Sequence, residues 1–316
     1  MSHHPKDILA RIAVVGSINI DIAVRSARLP KPGETLHGDS FALSLGGKGA
    51  NQAAASARLG ADVTFVGRIG TDMFGDLARQ ELARFGLEPA FITSDPGAGT
   101  GIATIGIDAA GENAITIVSG ANAHVSVADV HAAAYRLSGA RALLLQCETP
   151  FAASIEAAGL VRASGGVVIL DPAPAPREGI PKELLALVDL LTPNESEAMA
   201  LTGITVNSRE SGLAAARKLR ETGARGVIIK LGAAGLIYAT PEAAGFLPAF
   251  NVNAVDTVAA GDCFNAGLAV ALGEGARISA ALCFAAACGA VAVTRAGAAD
   301  SAPTRPEAEA LVSHGA

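Results

Sequence analysis

The feature that most restricts the fold of this chain is an alternation. Short apolar, β-branched runs are followed repeatedly by Ala- and Leu-rich segments of helical period. Residues 12–16, 63–67, 142–146, 167–171, 187–191 and 227–231 read as buried strands, continuously apolar rather than alternating. Between or after them, residues 49–59, 75–85, 128–137, 151–163, 208–222, 261–272 and 278–293 carry helical spacing. The alternation predicts an α/β fold, a mostly parallel central sheet flanked by helices on both faces. Ligands of such sheets sit beyond the carboxyl ends of the strands, so the residues just after each strand become the candidates for function.

Two segments break the pattern. Residues 19–25 with 34–43, and 101–108 with 114–119, alternate as β-hairpins around Pro/Gly and Gly/Glu/Asn turns. Both together would make a small antiparallel sheet standing over the strand ends as a lid. With no repeat, low-complexity tract or linker in the sequence, the economical organisation is one domain over residues 1–316, with a lid from about 18–44 and 98–120.

Charge and cysteine content narrow the partners. A net charge of −6 and the lack of any Lys/Arg run leave no footprint for nucleic acid or an anionic membrane. The first ten residues are polar and lack the apolar core of a signal peptide, and no stretch reaches membrane-spanning length without charges. Cys147, Cys263, Cys283 and Cys288 show no CxxC spacing, which argues for reduced, buried thiols in a cytoplasmic protein.

Three stretches combine residue types suited to phosphate chemistry. In the run from Ala254 to Phe264, the small residues Ala259, Ala260 and Gly261 lead into an apolar helix. Bare N–H groups at a helix start attract an anion, and small side chains allow close approach. Asp262 there either caps the helix or takes a proton from a hydroxyl; the helix end is expected to lower its pKa. The run from Leu45 to Gln52 puts Gly46, Gly47 and Gly49 around Lys48, ahead of Asn51. It is neither a Walker loop nor GxGxxG, and it is open between a flexible turn and a hydroxyl-binding loop. After the strand at 187–191, Asn194 and Glu197 lie three apart at a helix start, suited to a hydrated Mg²⁺ or to complementing the helix dipole. Asn19 and Asp21 share one strand face, and Glu148 follows the strand ending at Gln146. No histidine pair with metal spacing and no GxSxG elbow competes with phosphoryl transfer.

From about Ile12 to Pro303 the chain resembles the phosphofructokinase B-type family of carbohydrate kinases. Both family signatures are present, Gly46-Gly-Lys-Gly-Ala-Asn-Gln52 and Asp256-Thr-Val-Ala-Ala-Gly-Asp262. Gly16-Ser-Ile-Asn-Ile-Asp21, Pro32-Gly-Glu-Thr35, Asp171-Pro-Ala-Pro174 and Thr192-Pro-Asn-Glu195 also look like that family. The resemblance implies a soluble kinase that moves the γ-phosphate of ATP onto a small sugar, D-ribose, with Asp262 as general base. Another sugar or a nucleoside (deoxyribose, fructose or a keto-deoxy acid) is the alternative acceptor, and a non-catalytic sugar-binding regulator is the rival from another class.

Position by position, the likeness implies sugar contacts at Asn19, Asp21, Gly46, Gly47, Lys48, Asn51 and Glu148, and an anion hole from the amides of Ala259, Ala260 and Gly261. It implies nucleotide contacts at Asn194, Lys230, Gly232 and Gly261, and Mg²⁺ held through water by Glu197. An activating K⁺ would lie among Asp256, Val258, Ala292, Arg295, Gly297 and Ser301, and two copies would pair through their lids. Two positions depart from the family: Lys230, where Thr is common, which bears on adenine-side contacts, and Cys263, where Thr is frequent.

Overall fold

The computed structural model describes residues 9–314, so the expectation for the first ten residues lies almost wholly outside the described residues. The chain begins with β1 (Arg11–Val15), β2 (Asn19–Arg25), β3 (Ser40–Gly46), α1 (Lys48–Arg58), β4 (Asp62–Gly70) and α2 (Met73–Arg84). It continues through β5 (Ile92–Asp95), β6 (Gly101–Ile107), β7 (Asn113–Val118), α3 (Val127–Ala132), α4 (Ala134–Leu137), β8 (Ala142–Leu145), α5 (Phe151–Ala163) and β9 (Val167–Leu170). Then come α6 (Lys182–Leu185), β10 (Leu190–Leu191), α7 (Glu195–Thr202), α8 (Arg209–Glu221), β11 (Gly226–Lys230), β12 (Leu236–Ala239) and β13 (Ala244–Leu247). Three helices close the chain, α9 (Ala260–Gly273), α10 (Ile278–Ala292) and α11 (Arg305–His314).

The larger sheet has the order β13-β12-β11-β10-β9-β8-β1-β4-β5. It is parallel from β11 to β5, and only β12 and β13 join it antiparallel. Alternation along each central strand feeds two cores. Ile12, Val14 and Leu144 pack with residues of α1, α9 and α10, while Ala13, Val15, Leu143 and Leu145 pack with α5 and α8 on the opposite face. Both faces are dry, which is why these strands read as unbroken apolar runs. Truncating one such side chain, Leu144→Ala, would cost about 2–5 kcal/mol.

Most predicted elements are present, with four differences. The strand expected at 187–191 is only Leu190–Leu191. Leu187 and Val188 bond back to Leu184 and Leu185 in the turn after α6, so their apolar side chains serve the core without entering the ladder. The helix expected at 128–137 breaks at Ala133 into α3 and α4. The strand expected at 34–43 lies at Ser40–Gly46. The lid sheet has the order β3-β2-β6-β7 and is mixed rather than antiparallel, because β2 and β6 pair in parallel with Asn19 opposite Gly101. Among the described residues no helix is long and apolar enough to cross a membrane. All four cysteines are free; Cys263 and Cys288 are buried as expected, whereas Cys147 and Cys283 are only half-buried.

Candidate active site

The candidate residues gather where the sequence argument places a ligand, at the carboxyl ends of β1, β8, β9, β10 and β11. The start of α1 is brought there by close backbone packing. Gly47 caps the helix at φ +86°, a conformation that favours glycine. A Cβ on Gly49 would lie 2.6 Å from backbone atoms of Gly16 and Ser17, so only glycine lets α1 press onto the β1–β2 junction. Glu148 is pinned at the same point, accepting from the Ser17 hydroxyl at 2.5 Å and from the Lys48 N–H at 3.1 Å.

The start of α9 faces it. Ala259 caps α9 at φ +58°, and among the described residues it alone other than glycine has a positive φ. The first helical bond runs from Cys263 N–H to Ala259 O, which leaves the N–H groups of Gly261 and Asp262 without a partner among the described residues. Of the three amides expected to form the anion hole, that of Ala260 donates to Thr257 O at 3.3 Å, while those of Ala259 and Gly261 have no partner among the described residues. Asp262 is buried, at 6 % exposure. Its Oδ2 accepts from Asn51 Nδ2 and its Oδ1 from Gln52 Nε2, both at 3.0 Å.

The pKa of Asp262 moves against expectation, up to about 6. Burial is the largest cause; Lys48 pulls it down, Asp171 pushes it up, and the two amides pull it down. Loss of water around the charge outweighs the helix end. Lys48 shows the converse balance. Burial works against its charge, but Asp262, Asp171, Glu148 and Glu197 together hold it above the usual lysine range.

The neighbouring strand ends complete the site. Asp171, just past β9, accepts from Lys230 Nζ at 2.9 Å and from Gln52 Nε2 at 3.4 Å. Gln146 Nε2 donates to Gln52 Oε1 at 2.7 Å. Asn194 and Glu197 do converge, but on each other: Asn194 Oδ1 accepts from Glu197 N–H and Glu197 Oε2 from Asn194 N–H, both at 2.8 Å. Burial, then the charge of Asp171, raises the pKa of Glu197. Gly232 sits apart, exposed in the turn after β11 at φ +52°.

On the lid side, β2 carries Asn19 and Asp21. Asn122, buried after β7, donates to Asn19 Oδ1 at 2.8 Å and brackets the Ile18 backbone with Nδ2 and Oδ1. Asp21 has its pKa pushed up to about 6, by burial first, then by Glu148 and Asp262. Its carboxylate lies over Gly46, where an added Cβ would fall 2.1 Å from Oδ1. A cleft of about 410 Å³ opens between β7 and the end of β8, lined by Asn19, Ile117, Asn122, Cys147 and Glu148 among others. The Cys147 thiol is pushed up to about 12, mainly by burial, so it lines the cleft as an unreactive group.

The expected cation residues form a separate cluster behind the start of α9. Asp256 Oδ1 accepts from Val258 N–H at 3.0 Å and Oδ2 from Gly297 N–H at 3.1 Å, which ties the 256–258 loop to the segment after α10. Ser301 donates to Ala298 O at 2.7 Å, and the Arg295 guanidinium turns to Glu307, leaving its backbone to the cluster. Among the described residues no three His, Cys, Asp or Glu side chains are grouped to hold a metal ion by themselves. Gln52, Asn122, Gln146 and Asp171 bond to the candidate residues and had no role in the sequence analysis. Gln52 and Asp171 lie inside recognisable stretches, but their partners are remote in sequence.

Known proteins with this arrangement are carbohydrate kinases. Residues 9–305 match the pfkB family of carbohydrate kinases. The chain is 39 % identical over 303 residues to the ribokinase of Haemophilus influenzae, covering 96 % of this chain and 98 % of that protein. It is 36 % identical over 253 residues to the deoxyribokinase of Salmonella typhi, covering 80 % and 82 %. A solved structure of Arabidopsis thaliana ribokinase complexed with ribose and ATP superposes with a TM-score of 0.87 at 35 % identity, covering 96 % of this chain and 99 % of that one. A putative ribokinase II of E. coli in complex with ATP and Mg²⁺ superposes with a TM-score of 0.79 at 25 % identity, covering 97 % and 100 %.

Proposed function

The chain belongs to the pfkB family of carbohydrate kinases, and from that premise we propose that it transfers the γ-phosphoryl group of ATP to the 5-hydroxyl of D-ribose. One observation carries the reading: a buried carboxylate, Asp262, oriented by two amides at a helix start where the Gly261 and Asp262 N–H groups have no partner among the described residues. Binding alone would not require that charge, and a general base does. With a pKa near 6, Asp262 is ionised at neutral pH and accepts the hydroxyl proton as the phosphoryl group arrives. The N–H groups of Gly261 and Asp262, on small-residue backbone, take the phosphoryl oxygens.

Asn19, Asp21 and Glu148, with Gly46, Gly47 and Lys48, surround the sugar. Asn51 turns its Nδ2 to the base and keeps a buried Oδ1 with no partner among the described residues, suited to a sugar hydroxyl. On the nucleotide side, Asn194, Lys230 and Gly261 line the approach, with Gly232 further out in the exposed turn after β11. Glu197, its pKa raised by burial and then by Asp171, offers a hard oxygen that suits Mg²⁺ held through water. When bound, Mg²⁺ neutralises phosphate charge. The carboxylate of Asp256, the carbonyls of Val258, Ala292, Arg295 and Gly297, and the Ser301 oxygen suit a K⁺ that stiffens the loop before α9.

The chain acts as one domain, and the lid, about 18–44 and 98–120, closes over the sugar to exclude water. The outer face of the lid exposes Val24, Phe41, Leu43 and Val118, and two copies pair there. A cytoplasmic location, where ATP is abundant and free thiols persist, goes with this reading. The likeness to a deoxyribokinase favours deoxyribose as the second candidate acceptor.

ADP release measured across a sugar panel, with ATP and Mg²⁺ and with K⁺ exchanged for Na⁺, tests the reading. Ribose should give the largest kcat/KM, raised by K⁺. A larger value for deoxyribose would reassign the acceptor, and tight sugar binding without turnover would make the protein a sugar-binding regulator.

A further inference from the structure

Lys230 ends β11 with its ammonium at the phosphate side of the cleft, not at the exposed turn after the strand. Its Nζ lies 2.9 Å from Asp171 Oδ1 and 3.2 Å from the point a Cβ on Gly261 would occupy. Gly261 carries one of the free N–H groups of α9, so this ammonium stands at the mouth of the anion-binding helix end. The Lys230 side chain is only 16 % exposed, and Asp171, at 3 %, is its partner. An ammonium has three donors, and one bond to Asp171 leaves two for phosphate oxygens.

Asp171 is itself held from the other side. Gln52 Nε2 donates both to Asp171 Oδ2 at 3.4 Å and to Asp262 Oδ1 at 3.0 Å. Gln146 fixes that amide, because its own Nε2 donates to Gln52 Oε1 at 2.7 Å and so directs both Gln52 hydrogens toward the carboxylates. A continuous chain, Lys230–Asp171–Gln52–Asp262, thus joins the anion site to the base. Charge balance asks for such a cation. The charges of Asp262, Asp171, Glu148 and Glu197 all act on Lys48, Asp21 is a further carboxylate near Glu148 and Asp262, and a triphosphate adds several negative charges more.

Building on the kinase reading, we propose that Lys230 contacts the transferred phosphoryl group directly, and that Asp171, tied through Gln52 to Asp262, is the positioning residue that holds its ammonium beside Gly261.

The test combines binding and kinetics for Lys230→Met, Asp171→Asn and the double variant. Calorimetry would compare a non-hydrolysable ATP analogue with adenosine, which lacks phosphates, and steady-state assays would vary ATP and sugar separately. Lys230→Met should weaken the triphosphate or lower kcat by about 30-fold, the weight of a hydrogen bond to a charged group, with adenosine affinity and sugar KM within about threefold. Lys230→Met leaves Asp171 unpaired and facing the phosphates, so adding Asp171→Asn should recover about tenfold.

Equal losses for adenosine and the triphosphate would mean a structural role and overturn the inference. So would unchanged kinetics in Lys230→Met, and a double variant no better than Lys230→Met would remove Asp171 from its role. Lack of sugar-dependent ADP release by the wild-type protein would instead sink the kinase reading, and this inference with it.

Discussion

Two carboxylates of the candidate site have their pKa raised to about 6, and they are held there in different ways. Asp262, on the floor, is buried at the start of α9, and two amide donors and Lys48 pull back against that burial. Asp21, on the lid, is raised by burial and by two neighbouring carboxylates, with no countervailing donor among the causes. The floor is finished: its hydrogen bonds fix the position of a charge before any ligand arrives. The lid carboxylate has acceptor capacity to spare, which hydroxyls of a bound sugar can use. On the proposed reading the contrast separates chemistry from recognition, and it predicts that substitutions on the two sides will fall on different kinetic parameters.

The largest effect should come from the floor. Asp262→Asn keeps the shape and can still accept from Asn51 or Gln52, but it cannot take a proton. It should lower kcat by about 10³-fold while sugar affinity stays within a few-fold. In the wild-type protein kcat/KM should fall below about pH 6 as Asp262 is protonated, since the base works only in its ionised form. Turnover near normal in Asp262→Asn would break the division at once.

On the lid, Asp21→Asn should raise sugar KM by about 30-fold, with kcat and ATP KM changed far less, as expected for charge-assisted bonds to hydroxyls. A kcat loss as large as that of Asp262→Asn would place Asp21 in the chemistry and erase the contrast. Gly46→Ala probes the same carboxylate from below. Its Cβ would fall 2.1 Å from Asp21 Oδ1, so the side chain must move. About a tenfold rise in sugar KM is expected, and an unchanged KM would show that Asp21 has freedom to bind from elsewhere.

The two sides also differ in how far the sequence revealed them. Continuous apolar runs marked β8 and β11, because both faces of those strands are covered. The run at 187–191 misled by the same rule, since Val188 is fully buried without extending the ladder. The parallel pairing of β2 with β6 had no local signal; it depends on two strands more than seventy residues apart leaving the central sheet in the same direction. The glycine-rich turn and the start of α9 were legible because helix starts with small residues have a chemistry of their own. Gln52 was not, because a glutamine inside an Ala-rich helix acquires meaning only when Gln146, Asp171 and Asp262 arrive from 94, 119 and 210 residues away. Lys230 shows the limit from the other direction: the family resemblance implied a nucleotide contact there, and the bond to Asp171, 59 residues away in sequence, had no local signal.

The smallest effect tests whether the two carboxylates are coupled. Asp21 is raised in part by the charge of Asp262, the last of its three causes. If an ionised Asp21 accepts from sugar hydroxyls, sugar affinity should weaken as pH falls through about 6 in the wild-type protein. Asp262→Asn removes one negative neighbour, which makes ionisation of Asp21 easier and lowers its pKa. The limb should then move to lower pH by less than about one unit, because burial and Glu148 still act. Calorimetric titration of sugar at several pH values, with no ATP present, reads this without any turnover. A limb that stays in place would mean that lid and floor titrate independently, and a limb that vanishes would mean that Asp262, not Asp21, carries the pH dependence of binding.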